Sequence, residues 1–118
     1  MTRPWTLAES RTIAERVMEW QVFEFNGRLW LTDPTQRPTW LWDCAIPDWP
    51  HDPAAAAMAL AAWVSEGGRR YDGGYDMMAR RYTIVLYHQS DGRYPVEGVG
   101  KTWSEAVMLA VLAAVEGV

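Results

Sequence analysis

The sequence predicts an α+β fold, a three-layer α/β/α sandwich in which three helices cover a mainly antiparallel sheet of four or five strands. Two pairs of strand-like runs each meet at a short turn signal, Asn26-Gly27 in the first half of the chain and Asp91-Gly92 in the second. Turns of this kind join neighbouring antiparallel strands. Two of the three helical segments are too apolar to be exposed on one side, so we expect helices on both faces of the sheet.

The first helix is predicted over residues 6–20. Thr6 is a good N-cap and Glu9 stands three residues later, so a capping box can satisfy two backbone amides at the helix start. Apolar side chains recur at helical spacing along one face: Leu7, Ile13, Ala14, Val17, Met18 and Trp20. This pattern is typical of an amphipathic helix that packs on a core.

The first hairpin is predicted where residues 21–25 and 28–32 flank Asn26-Gly27. Both residues of such a two-residue turn need positive φ angles, which Asn and Gly tolerate best. A proline-rich stretch follows at residues 33–53. Within it, residues 39–46 are a possible third strand, and the remainder is expected to be a loop.

The second helix is predicted over residues 53–66. Asp52 suits the N-cap and Pro53 suits the first turn, while Gly67-Gly68 ends the helix. The many alanines in this segment allow a close approach to a neighbouring helix or sheet. Residues 67–76, which are rich in glycine and arginine, are predicted to be a connecting loop.

The last third of the chain is predicted to be a second hairpin followed directly by a helix. Residues 81–90 and 93–100 are strand-like and flank the second turn signal. The helix is predicted over residues 102–116, because Thr102 and Glu105 have the spacing of a capping box.

This last helix has no polar residue between Glu105 and Glu116. A helix exposed on one side would show polar residues every third or fourth position. We therefore expect the helix either to be covered on both sides or to need a partner chain. Gly117 is a plausible stop signal.

Length and composition indicate a single domain with a substantial core. The chain has 118 residues, of which 49% are hydrophobic and 22% charged, so disorder is not expected. The net charge of −4 argues against a non-specific nucleic-acid-binding protein, which needs a basic surface.

Cysteine content and hydropathy favour a cytoplasmic protein. The single Cys44 cannot form an internal disulfide, which fits a reducing compartment. The first fifteen residues are charged and do not resemble a signal peptide. The longest apolar tract, residues 53–64, is shorter than the roughly 20 residues that span a bilayer.

Two segments resemble the phage ABA sandwich domain, a family of short proteins encoded in phages and prophages. IAERVMEW at residues 13–20 resembles the early helix of that family, which ends in tryptophan, and GKTWSEAVMLAVLAA at residues 100–114 resembles its terminal helix. The resemblance implies helix, sheet and helix layers and a viral origin. It implies no agreed activity and carries no catalytic residue to this chain.

Residues 81–118 are also similar, more weakly, to the HicB-like antitoxin fold. The shared pattern is a hairpin, then Gly-x-Thr-x-x-Glu-Ala, then an alanine-rich helix. Outside this unit the sequence shows no segment typical of DNA binding.

Few residues suggest catalysis or metal binding. His51, Asp52 and His88 are potential metal ligands, but their spacing matches no metal motif. Cys44 and His51 could form a nucleophile and base, although the sequence shows no third orienting group. We therefore predict no catalytic residue, no metal and no cofactor, with an enzyme kept as a minor alternative.

The glycine-rich segment at residues 67–76 is the first candidate binding site. Arg69, Arg70, Arg80 and Arg81 bracket Tyr71 and Tyr75. Arginine forks and aromatic planes suit the recognition of phosphates and bases. The alternative is a mobile connection whose arginines are solvated.

Three tryptophans in the proline-rich stretch are the second candidate. If Trp40 and Trp42 lie on a strand, they share one face, and Trp49 follows in the loop. This cluster is either part of the core or an exposed aromatic patch for a partner.

Together with the resemblance to the phage family, which implies a phage-encoded protein, these patterns predict a small non-enzymatic binding protein that acts in the host cytoplasm. We expect a host-takeover or anti-defence inhibitor that blocks a host protein or sequesters a nucleotide signal, with a homodimer favoured and no membrane partner. The alternatives are a homo-oligomeric structural or accessory phage protein and a HicB-like antitoxin.

Overall fold

A computed structural model describes residues 4–116 of the chain and confirms the predicted α+β class. The helices are α1 (Leu7–Thr12), which continues as a π-helical turn (Ile13–Val17), α2 (Pro53–Val64) and α3 (Trp103–Glu116). The strands are β1 (Val22–Phe25), β2 (Arg28–Leu31), β3 (Arg69–Asp76), β4 (Arg81–His88) and β5 (Val96–Gly100). Short 3₁₀ turns lie at Pro34–Gln36 and Trp49–His51.

The strands form two separate antiparallel sheets, so the prediction of one sheet with four or five strands is wrong. One sheet is the β1–β2 hairpin and the other has the order β3-β4-β5. The possible third strand at residues 39–46 is reduced to Ala45, which forms an isolated bridge with Trp30. The carboxylate of Asp43 accepts the amide of Ala45 at 2.9 Å, and such local turns compete with strand pairing.

Helix α3 lies at the centre of the molecule and not on an outer face. It packs against β4 and β5, and also against α2 and the 3₁₀ turn Trp49–His51. The order is therefore sheet, helix, helix, which corrects the predicted helix, sheet, helix order. Of the two alternatives expected for α3, the structure shows cover on both sides within the molecule, because Ala106, Val107, Met108, Ala110 and Val111 are fully buried.

The first helix differs in detail from the prediction over residues 6–20. Thr6 and Glu9 form the predicted capping box. The regular α-helix ends at Thr12, however, and the chain continues as a π-helical turn to Val17. Glu19 then has a φ of 58°, which a helix cannot accommodate.

The predicted bounds of the other two helices hold within two residues. Asp52 caps α2 by accepting the amides of Ala54 and Ala55. At the start of α3 the hydroxyl of Thr102 accepts the Glu105 amide, as the capping box requires. The predicted stop at Gly117 lies outside the described residues.

Both predicted hairpins join antiparallel strands. Asn26 and Gly27 have φ angles of 53° and 72° and form the expected tight turn between Phe25 and Arg28. The second hairpin is wider than expected, because pairing stops at Leu86 and Val96. Asp91 and Gly92 therefore lie within a longer connection and are not a two-residue turn.

The segment predicted as a connecting loop, residues 67–76, contains strand β3. All eight residues of β3 pair with β4, from Arg69 opposite His88 to Asp76 opposite Arg81. Gly73 lies opposite Ile84, and a Cβ at Gly73 would approach the Ile84 Cδ1 atom to 2.8 Å. The glycine thus makes room for a core side chain. The loop prediction was wrong because the glycines of this segment were interpreted as loop residues.

Within residues 4–116, no helix combines the length and the apolar character needed to cross a membrane.

Candidate functional site

Strand β3 divides the arginines and tyrosines of the first candidate site between two faces. Tyr71 and Tyr75 lie opposite Leu86 and Tyr82, and Leu86 is buried on the face that contacts α3. Successive side chains of a strand alternate between faces, so Arg70 lies on the other face. There its guanidinium stacks on Tyr87 at 4.1 Å.

The remaining two arginines of that candidate, Arg80 and Arg81, lie at the exposed β3–β4 turn. Arg69 lies at the opposite end of β3. The six predicted residues therefore do not converge on one ligand-sized position.

The three tryptophans of the second candidate also have separate environments. Trp49 is fully buried and stacks on Trp20 with ring centroids 5.7 Å apart. Trp40 is partly buried against the core, whereas Trp42 is 98% exposed. Because Trp40 and Trp42 lie on no strand, they do not share a sheet face and form no continuous patch with Trp49.

A cleft of about 480 Å³ lies where the ends of several elements meet. It is bounded by the π-helical turn, the end of α2, the start of β3, the β4–β5 connection and the end of α3. The charged and aromatic side chains that line it are Arg16, Trp63, Glu66, Arg69, His88, Asp91, Arg93, Tyr94 and Glu116.

Three aromatic rings contact one another in a row beside this cleft, with planes tilted by 34° and 39°, and we call this row the aromatic stack. The Trp63 and Tyr94 centroids are 5.9 Å apart, and those of Tyr94 and His88 are 5.5 Å apart. The Arg69 guanidinium lies over the Trp63 ring at 4.9 Å. Since Trp63 is only 2% exposed, it supports the stack from below, while Tyr94 and His88 are partly exposed.

Arg69 is held in position by three interactions. It pairs with Glu66 at 3.0 Å and donates to the Trp63 carbonyl at 3.1 Å, in addition to its contact with the Trp63 ring. Its Nε atom is buried and has no acceptor among residues 4–116. A buried donor without a partner is costly, and because this Nε atom is buried it is not exposed to a ligand in the cleft.

Arg93 is held by Asp91 in a two-pronged ion pair. Arg93 donates from Nε and from a terminal nitrogen, and the shortest of these contacts is 2.6 Å. Hydrogen bonds from the Arg93 side chain, and then from its backbone amide, lower the pKa of Asp91 to about 2. Asp91 is therefore ionised at neutral pH and orients the guanidinium.

Arg16 provides a third guanidinium at the cleft. It is exposed and has no ion-pair partner in the described part of the chain, whereas Arg11 on the preceding turn pairs with Glu15. His88 adds a further donor. Its Nδ1 atom accepts the Ser90 amide at 3.2 Å, so the proton of the neutral ring is on Nε2.

His51 and Cys44, which were considered as a catalytic base and nucleophile, lie in different environments. His51 is exposed at the end of the 3₁₀ turn Trp49–His51 and contacts Asp48 at 2.9 Å. Cys44 is a free thiol that packs partly against the core. Among the described residues, no three His, Cys, Asp or Glu side chains are grouped so that they could hold a metal ion.

Comparison of the chain with protein-family models, curated protein sequences and solved structures finds no match. The candidate site therefore stands on its own geometry.

Of the predicted site residues, the cleft includes Arg69 alone. The other charged and aromatic lining residues were not predicted, because they come from five segments that are distant in sequence. Two local patterns could have pointed to the cleft. One is the spacing of Trp63, Glu66 and Arg69 at the end of α2, and the other is the Asp91-Gly92-Arg93 turn. Each pattern is also explained by local structure alone.

Proposed function

We propose that this protein is a non-enzymatic binding protein that sequesters a small anionic ligand of the nucleotide class in the cleft. The observation that supports it most is the arrangement of Arg16, Arg69 and Arg93 around an aromatic stack. Planar guanidinium groups bind phosphate oxygens with paired hydrogen bonds. Aromatic rings bind bases through their faces.

Preorganisation favours binding at this position. Glu66 and Asp91 hold Arg69 and Arg93 before any ligand arrives, so little side-chain entropy is lost on binding. Arg16 has no such ion-pair partner in the described part of the chain, so its guanidinium stays available to a ligand. A phosphate near Arg16 and Arg93, with a base against Tyr94 and His88, uses two of the three arginines together with the partly exposed rings.

The lining residues favour binding over turnover. The arginines and the His88 Nε2 donor can stabilise an anion, but the cleft has no Ser, Thr or Cys side chain as a nucleophile. The resemblance to the phage family suggests a biological setting. In that setting the protein would remove a host nucleotide signal, and the same face could instead block a host protein that carries an acidic group.

Isothermal titration calorimetry with mono-, di- and cyclic nucleotides, and with inorganic phosphate, tests the proposal. We expect at least one nucleotide to bind the wild-type protein, and Arg16→Glu to weaken that binding by roughly tenfold or more, because one charge-assisted contact is worth about 1.5–3 kcal/mol. Arg11→Glu is the matched control, because Arg11 is one turn away and outside the cleft.

Two results would overturn the proposal. The first is the absence of binding across the panel by a folded wild-type protein. The second is an equal loss of affinity in the Arg16 and Arg11 variants, which would indicate a general effect of surface charge. Chromatography of the samples after the titration shows whether the nucleotide has been converted. Conversion would refute the proposal that the protein is non-enzymatic.

A further inference from the structure

Strand β3 has one edge that pairs with no other strand within residues 4–116. It is the terminal strand of the order β3-β4-β5, and residues 70–76 are exposed along their whole length. Exposed edges of this length are templates for pairing with another chain, and proteins usually protect them with charged side chains, proline or a covering element. Strand β3 contains no proline, and its exposed charges, Arg70, Asp72 and Asp76, are of mixed sign, so they can pair with opposite charges on a second strand.

The hydrogen-bond pattern fixes which residues of β3 are available at this edge. The Gln89 amide donates to the Gly68 carbonyl at 2.7 Å, so Gly68 and Gln89 form a hydrogen-bonded pair. Hydrogen-bonded and non-bonded pairs alternate along an antiparallel ladder. The even-numbered residues of β3 therefore bond to β4, and the amides and carbonyls of Tyr71, Gly73 and Tyr75 face the free edge.

We propose that this edge pairs with the β3 edge of a second copy of the chain, with the two-fold axis at Gly73. An antiparallel partner must also present its odd-numbered residues, so the possible registers differ by two residues. With the axis at Gly73, Tyr71 lies opposite Tyr75 of the second copy, and Arg70 lies opposite Asp76. Each of these pairs occurs twice.

Charge excludes the two neighbouring registers. An axis at Asp72 places Asp72 directly opposite its own copy, and an axis at Gly74 places Asp72 opposite Asp76. Like charges directly opposite each other destabilise a sheet, whereas opposite charges stabilise it. The register centred on Gly73 is the one in which every charged residue from 70 to 76 faces an opposite charge or a glycine.

The side chains complete the interface on both faces of the sheet. Tyr71 and Tyr75 are 46% and 49% exposed on the face that contacts α3, and pairing with the second copy would bury them. They stand two residues on either side of Gly73, beside which the Ile84 side chain lies, and aromatic neighbours help to protect a strand glycine in this way. The result is a continuous six-stranded sheet joined by about six backbone hydrogen bonds, two for each of three pairs.

This dimer differs from the one expected from sequence. The apolar surface of α3, which suggested a partner chain, is covered within the molecule. The dimer also uses none of the cleft side chains, so it does not rest on the proposed function. If the protein binds nucleotide as a monomer, the proposed dimer alone is overturned. If it is a dimer that binds no nucleotide, the proposed nucleotide site alone is overturned.

Sedimentation equilibrium over a dilution series tests the proposal. We expect the wild-type protein to dimerise and Arg70→Asp, which places two carboxylates opposite each other twice, to raise the dissociation constant by roughly tenfold or more. Arg70→Lys keeps the charge and should remain dimeric. Arg28→Asp, an equal change of charge at an exposed position of β2, should leave the dimer unchanged.

Amide hydrogen exchange on the wild-type protein gives an independent test. We expect the Tyr71, Gly73 and Tyr75 amides to exchange slowly at high protein concentration and quickly on dilution. The proposal is overturned if the wild type is monomeric at every concentration, if Arg70→Asp folds and dimerises as well as the wild type, or if these three amides exchange quickly throughout.

Discussion

Gly98 of β5 lies directly against Ala110 of α3, so closely that a Cβ atom on the glycine would overlap the helix backbone. The same Cβ would overlap the carbonyl oxygen of Ala106 one turn earlier. This contact sets the distance between the central helix and the three-stranded sheet. It also explains why the strand before α3 carries glycine at a buried position.

Replacing Gly98 should therefore destabilise the fold. We expect Gly98→Ala to lower the free energy of unfolding by about 1–3 kcal/mol, because helix or strand must move to admit the methyl group. Chemical denaturation measures this change. Gly92→Ala is the control, since no atom lies within 4 Å of a Cβ placed there. An equal loss at both positions would show that backbone freedom, and not the close contact, explains the effect.

The buried tryptophan pair gives a second stability prediction. Trp49 is 0% exposed and stacks on Trp20, so Trp49→Ala should cost about 3–5 kcal/mol of unfolding free energy. Trp42→Ala should change it by no more than about 0.5 kcal/mol, because that side chain is 98% exposed. Thermal unfolding of the two variants compares them directly. Similar costs would mean that Trp42 is packed in solution.

The Asp91–Arg93 pair predicts a specific acid titration. The folded pKa of Asp91, about 2, is below its ordinary value of 3.8, so the pair stabilises the folded state above that ordinary value. This contribution is lost as the pH falls through the folded pKa. We expect the side-chain carboxyl carbon of Asp91 to titrate near pH 2 by NMR, and Arg93→Ala to move the midpoint up towards 3.8. A midpoint that is insensitive to Arg93→Ala would refute the assigned cause.

Tyr94 should distinguish a nucleotide from a simple phosphate. Loss of base stacking typically costs about 1–3 kcal/mol, so Tyr94→Leu should weaken nucleotide binding by roughly five- to 150-fold. Inorganic phosphate has no base, and its affinity should stay the same. Tyr94→Phe keeps the ring and should bind nucleotide nearly as well as the wild type. If Tyr94→Leu weakens both ligands equally, the ring supports the arginines and does not contact a base.

Local signals in the sequence predicted those elements that local interactions determine. Thr6 and Glu9 satisfy amides within one turn, and Asn26-Gly27 adopts positive φ angles without help from distant residues. Such features depend on residues that are close in sequence and can therefore be predicted from the sequence. The predicted start of α2 at Asp52 and Pro53 holds for the same reason.

The strand β3 was missed because its stability is not local. Gly73, Gly74 and the charged residues around them have low intrinsic strand propensity. Pairing with β4 along its whole length overrides that preference, and Gly73 leaves room for the Ile84 side chain beside it. The sequence of β3 does alternate tyrosine with charged residues, as a strand with two different faces would. Gly73 and Gly74 interrupt this alternation, so the pattern did not predict a strand.

The order of layers and the cleft depend on contacts between distant segments. The apolar sequence of α3 shows that both sides are covered, but it does not identify the covering elements. Arg16 and Arg93 reach the same cleft from segments separated by most of the chain. Spacing along the sequence does not show that positions so far apart lie together in the fold.

An NMR titration with nucleotide, followed through the assigned indole signals of the tryptophans, tests the central proposal most directly. Trp63 lies in the cleft beneath Arg69 and Tyr94, whereas Trp42 is exposed outside it. We expect the Trp63 indole resonance of the folded protein to shift in a saturable way as nucleotide is added, while that of Trp42 stays in place. A saturable shift at Trp42 with none at Trp63, or no saturable shift at either, would contradict a nucleotide site in this cleft.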